Sequence, residues 1–278
     1  MDRRIGLIAR VSSLRGVPQG RRSNLLARRL LRSLRSLAMT CAFIFFLSGC
    51  ATIYNPATGR QEVQFITTQQ EVSVGSDIAE QVEKKFGVLN DPAQQGRLNF
   101  IGQRLALVSD RRDLEYYFKI VNEKSFNAFT LPGGFIYVHK GLLDKMGSDS
   151  ELASVLAHEI GHVAARHPAK ALEMNLGYDI LSSIIFHDEK YANLQKAVDM
   201  SLYFIRNGYG RQDELLADRL GVRYMKRAGY RPEVYLDVLK KLEELEAGNG
   251  SAMHVLFSDH PAVAERVEAI KEEIKNSS

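Results

Sequence analysis

A strongly apolar helical run, Leu152, Val155, Leu156, Ile160 and Val163, carries the segment His158-Glu159-Ile160-Gly161-His162 at its centre. That stretch constrains the chain more than any other. Positions four apart on a helix share one face about one turn apart, so the two imidazoles are placed to hold one metal ion. Glu159 lies about 100° around the axis from His158. There it reaches a metal-bound water without being a strong ligand, which is what a general base needs. Zinc in such a site activates water and polarises a carbonyl, so the run predicts a hydrolytic centre.

Further along, Glu214-Leu-Leu-Ala-Asp218 sets two carboxylates at i and i+4. Leu215, Leu216, Ala217 and Leu220 make that helix apolar, which turns the acids inward. Zinc on His158, His162 and Glu214 is a His₂Glu set with one open position, and Asp218 is a candidate to hold a ligand imidazole by a hydrogen bond. Asp213 is a competing third ligand. Pro132-Gly-Gly-Phe-Ile-Tyr-Val138 reads as an apolar strand entered through two glycines. Its Gly133, Gly134, Phe135, Ile136 and Tyr137 are candidate substrate-binding residues if the strand edge pairs with an extended peptide; an ordinary core strand is the alternative. His260, ahead of the last helix, is a candidate to donate to a developing oxyanion or to cap the metal. His139, His167, His187 and His254 read as loop residues.

The first fifty residues have the layout of an export signal. Ten arginines against one acid occupy residues 1–49, so the formal charge of +4 belongs to the leader and the remainder is net negative. Nothing in that balance calls for nucleic acid. An uncharged apolar run, Leu37 to Leu47, follows. Eleven helical residues span about 16 Å, about half a hydrocarbon core, which is signal-peptide length. Leu47-Ser-Gly-Cys50 then resembles the bacterial lipobox, and Cys50 is the candidate lipidation site. The only other cysteine is Cys41, so no disulfide, cysteine metal site or cysteine nucleophile belongs to the chain beyond Cys50.

Residues 51–67 hold few apolar repeats and read as a tether. Thr68-Gln-Gln-Glu71 has capping-box spacing. Asp91-Pro92 reads as an N-cap and first helical position, opening a helix with Leu98, Ile101, Leu105 and Leu107. Strand-like runs at 116–121 and 134–138 precede helices near 149–166, 168–182, 192–206, 211–228, 232–247 and 261–275. The fold class is therefore α+β and predominantly α-helical, with a small β-sheet before the active-site helix.

His158-Glu-Ile-Gly-His162, Glu214-x-x-x-Asp218, Asn127-Ala-Phe with Pro132-Gly-Gly134, and His260-Pro261 with Arg266 resemble the CAAX prenyl endopeptidase family of zinc metallopeptidases, in particular its small bacterial lipoproteins. The resemblance covers roughly residues 65–275. It implies a gluzincin, zincin-like fold, one zinc on His158, His162 and Glu214, Glu159 as catalytic base, Asp218 in support and His260 approaching the metal. Together with the leader and the tether read above, the chain divides into a signal peptide (1–49), a lipidated tether (50–67) and a metallopeptidase domain (68–278). The resemblance further implies unfolded or misfolded proteins as substrates and a lipid anchor on the periplasmic face of the outer membrane; outer-membrane assembly machinery is a candidate partner, and partners recruited through helical repeats are not carried over. An assembly factor with a structural or gated zinc site is the competing reading. No long membrane span and no helical repeat array is expected, and residues 170–208, between the two ligand-bearing helices, read in part as a lid.

Overall fold

The computed structural model describes residues 51–186, 190–249 and 263–276. Cys50, His187, His254 and His260 lie outside them. Among the described residues no helix is long and apolar enough to cross a membrane.

The chain opens with an antiparallel hairpin, β1 (Ala51–Asn55) and β2 (Arg60–Gln64), where the sequence suggested only a tether. Ala57 at its turn and Ile66 just after it are buried. Helix α1 (Thr68–Phe86) follows, then α2 (Pro92–Ala106). The capping box of α1 is Thr67 with Gln70, one residue before the expected pair. Glu71 has another task. It is buried, accepts from Arg111 and Arg166 and from the Gly133 N–H, and Arg166 also binds Glu173, so one ionic cluster ties α1 to the end of the active-site helix. Asp91 caps α2 as expected, with Pro92 at its first turn; the helix ends at Ala106, which leaves Leu107 exposed.

Three strands form the central sheet: β3 (Tyr117–Val121), β4 (Ala128–Leu131) and β5 (Phe135–His139), in the order β3-β5-β4. β5 runs parallel to β3 and antiparallel to β4. Side chains on a strand alternate between faces. Ile136 and Val138 accordingly join one apolar cluster with α2 and the helix carrying His158, whereas Phe135 and Tyr137 join a second with α1. The sheet is covered on both faces.

This order corrects the reading of residues 133–137 as a substrate edge. β5 is the middle strand, hydrogen-bonded on both sides, so Phe135, Ile136 and Tyr137 are core. Gly133 and Gly134 sit at positive φ, 80° and 89°. A Cβ on Gly134 would come within 2.4 Å of the Glu115 carbonyl oxygen, and one on Gly133 within 2.7 Å of Val72 Cα. The two glycines are there to let backbones pass, not to receive a peptide.

A short helix α3 (Lys140–Leu143) leads to α4 (Asp149–Ala164), whose N-cap Ser148 accepts from Glu151 N–H. Then come α5 (His167–Phe186), α6 (Lys190–Asn207), α7 (Arg211–Arg227), α8 (Val234–Asn249) and α9 (Val263–Asn276). α7 crosses α4 closely. A Cβ on Gly161 would lie 2.7 Å from the Ala217 carbonyl oxygen, so the glycine of the His-Glu-Ile-Gly-His segment is a condition of that crossing.

Candidate active site

The crossing of α4 and α7 brings the expected ligands together. His158 and His162 present their Nε2 atoms 3.1 Å apart, and the Glu214 carboxylate lies 3.4 Å from the first and 3.5 Å from the second. All three residues are buried, and one ligand atom from each falls within 4.8 Å of the others. The spacing decides what fits. Ligands at about 2.05 Å from a tetrahedral zinc stand about 3.3 Å from one another, and the three separations straddle that value. Two imidazole nitrogens and one carboxylate oxygen are also donors zinc favours.

The electrostatics agree. Burial works to lower His158, yet hydrogen bonds to Asp218 and Glu214 outweigh it, and its imidazole is pushed up to about 9. The pocket holds positive charge strongly at this point. Glu159, one residue on and buried, is raised to about 7, chiefly by desolvation and further by Glu214, with His158 acting the other way. A carboxylate with its pKa near the working pH is suited to taking a proton and giving it back.

Each imidazole is held from behind. Asp218 Oδ1 lies 2.9 Å from His158 Nδ1. The same carboxylate accepts from Tyr235 Oη at 2.8 Å and from Arg266 through Nε at 2.7 Å and Nη2 at 2.6 Å. Burial works to raise Asp218, but the Arg266 guanidinium and the bonds from Arg266 and His158 hold it well below the usual carboxylate range. A permanently ionised Asp218 keeps Nδ1–H facing it and Nε2 facing the metal position. Arg266 was visible in the sequence only through the family resemblance, and Tyr235 not at all.

His162 has a different support. His167 Nδ1 lies 2.9 Å from His162 Nδ1, and His167 Nε2 lies 3.3 Å from Asp213 Oδ1. His162, with Nε2 turned to the ligand group, carries its proton on Nδ1; His167 accepts it and donates in turn to Asp213. Asp213 is thus not among the converging ligands, and His167 is a buried member of the site rather than a loop residue. His139 is buried as well, at the end of β5 with Nδ1 2.6 Å from Ser125 Oγ.

The described residues of 170–208 lie mainly in α5 and α6, which pack over α1 and against β4. At their exit Phe204 stacks on Tyr209, centroids 5.4 Å apart. The Tyr209 ring lies 4.7 Å from that of His162, and its N–H donates to Glu214 Oε1 at 3.4 Å. Phe204 thus reaches the ligand group through Tyr209.

The sequence model of Peptidase family M48 matches residues 92–274. Among similar proteins, Mitochondrial metalloendopeptidase OMA1 of Arabidopsis thaliana is 34% identical over 66% of this chain and 36% of its own length. Beta-barrel assembly-enhancing protease of Escherichia coli (strain K12) is 28% identical over 76% of this chain and 45% of its own. Metalloprotease LoiP of the same organism is 30% identical over 56% and 61%. The chain thus spans about a third to three fifths of the length of these relatives. The matched span runs from α2 into α9 and takes in every residue that converges on the metal position, and on that match the chain belongs to Peptidase family M48, whose members are zinc metallopeptidases.

Proposed function

We propose that the chain is a zinc-dependent endopeptidase that cleaves unfolded or misfolded proteins of the bacterial envelope, anchored through an acylated Cys50 at the periplasmic face of the outer membrane. The closer likeness to small lipoproteins of the CAAX prenyl endopeptidase family belongs to the same proposal. Glu159 carries the reading: a buried carboxylate beside a His₂Glu group, not itself one of the converging ligands, has no use in a purely structural zinc site. That favours a peptidase over an assembly factor.

Zinc, held by His158, His162 and Glu214, supplies Lewis acidity to water and to the scissile carbonyl. The chain's own residues do the rest. Glu159 accepts the proton of the attacking water and returns it to the leaving amine. Asp218 with Arg266 and Tyr235, and His167 with Asp213, fix the imidazoles so that no reorganisation is needed during the reaction. The peptide pairs with β4. His139 N–H donates to the Asn127 carbonyl, which sets the phase of the β4–β5 ladder, so Ala128 and Thr130 direct their N–H and C=O groups away from β5. That edge faces α5 and α6, and their displacement admits substrate. His260 as oxyanion donor or metal cap is part of the proposal, supported by Arg266 of the same segment reaching Asp218.

The test compares wild type with Glu159→Gln for zinc content and casein cleavage. Equal zinc and a loss of at least about a hundredfold in cleavage are expected. Equal cleavage by both proteins, or none by zinc-loaded wild type, refutes the proposal.

A further inference from the structure

The β1–β2 hairpin alternates the wrong way round for a wet surface. An antiparallel pair with one covered face normally turns apolar residues inward and polar ones out. Here the inward residues are polar. Asn55 is buried and donates to Glu62 Oε2 at 3.0 Å; Glu62 also accepts from Thr58 and from Lys170 of α5, each at 2.7 Å. The outward face carries Thr52 and Gln61 together with Tyr54 and Val63, exposed by 57% and 51%, and Phe65 just after β2 is exposed by 41%. Register places Val63 opposite Thr52, with Tyr54 opposite Gln61, so Tyr54 and Val63 are diagonal neighbours on one face. Ile53, of the other parity, is exposed too. Exposed aromatic and aliphatic side chains interleaved with polar Thr52 and Gln61 fit a medium that is part apolar and part polar.

The place of the hairpin in the chain says which medium. β1 begins at Ala51, directly after Cys50. Tyr54 stands four residue steps beyond Cys50, a reach of roughly 14 Å at about 3.4 Å per step. Tyrosine settles at the boundary of headgroups and acyl chains, and phenylalanine is among the side chains that interfacial segments bury just below it. We propose that the outward face of the hairpin, Tyr54, Val63 and Phe65, lies in the bilayer interface and orients the domain on the membrane. The choice of a lipid surface rests on acylation of Cys50 and is independent of the peptidase reading. A lone acyl tether leaves a domain free to tumble; a second, adjacent contact fixes which side faces the lipid.

The chain contains no tryptophan, so a single introduced one reports without background. The full chain, expressed with its leader, carries either Phe65→Trp or, as a control on the exposed side of α2, Phe100→Trp. Both are reconstituted into vesicles of phosphatidylethanolamine and phosphatidylglycerol with brominated acyl chains. Emission from Phe65→Trp is expected to shift to the blue and to be quenched at least about twofold more than that from Phe100→Trp. Equal quenching overturns the proposal. So does a blue shift that is indifferent to bromine and grows with protein density, which means the face is covered by a second copy. An N-terminal mass without acyl groups on Cys50 overturns the choice of occupant. Casein cleavage and zinc content, read in the same samples, should match wild type in both variants; their failure in wild type counts against the peptidase reading and leaves the quenching ratio untouched.

Discussion

Replacing Gly161 with alanine sets two effects against each other. Helix propensity favours the change by about 1 kcal/mol, since Gly161 lies inside α4. Packing opposes it. The new Cβ would stand 2.7 Å from the Ala217 carbonyl oxygen, whereas ordinary contact begins at 3.4 Å, so α7 must retreat by about 0.7 Å. Overpacking of that kind costs about 1–3 kcal/mol. Glu214 rides on the turn of α7 just before Ala217, and metal–ligand distances tolerate only about ±0.2 Å. Packing therefore wins, and Gly161→Ala should lower zinc affinity by about tenfold to a hundredfold, with a smaller loss of stability. Competition against a chromophoric chelator measures the first and urea unfolding the second. Gly96→Ala is the control, because a Cβ there meets nothing within 4 Å; it should raise stability by about 0.5–1 kcal/mol and leave zinc binding alone. A Gly161→Ala protein that binds zinc within about twofold of wild type would show that the crossing does not set the ligand geometry.

Two further outcomes are expected. Arg266→Met strips the buried Asp218 of its guanidinium partner and should cost about 3 kcal/mol in urea unfolding along with weaker zinc binding; unchanged stability would mean that Tyr235 and His158 suffice to hold Asp218. His139 takes a proton near 6.5 when unfolded but, desolvated at the end of β5, only near about 4 when folded. Between those values the unfolded chain binds more protons, so stability falls with pH below 6.5, by up to about 3 kcal/mol once pH 4 is reached. His139→Asn, which retains a partner for Ser125, should flatten that decline; an identical decline in both proteins would place its cause elsewhere.

His158, His162, Glu214 and Asp218 were legible because each pair sits on one helix at a spacing of four, and the apolar residues around them fixed which face is buried. What crosses from one element to another was harder to read. His167 reaches His162 only because Arg166 takes φ of 60° and turns the chain back at the end of α4, a bend that no periodicity announces. Tyr235 arrives from α8, with nothing in its neighbourhood to mark it. For β5 a signal was present: Phe135-Ile-Tyr-Val138 is apolar at both parities, the mark of a strand covered on two faces, and it argued against a free edge. The capping box slipped by one residue because Thr67 and Thr68 are equally good caps. The tertiary demand on Glu71 by Arg111 and Arg166 decided between them.

The clamp on Asp218 also bears on timing. Arg266, its strongest partner, lies 48 positions further along the chain, and Tyr235 stands between them. A chain emerging from the ribosome therefore displays both histidines, Glu214 and Asp218 well before Arg266 is present to hold Asp218. In the proposed peptidase, the last support of the metal position would be made only after both histidines and Glu214, while the rest of its own chain is still unfolded.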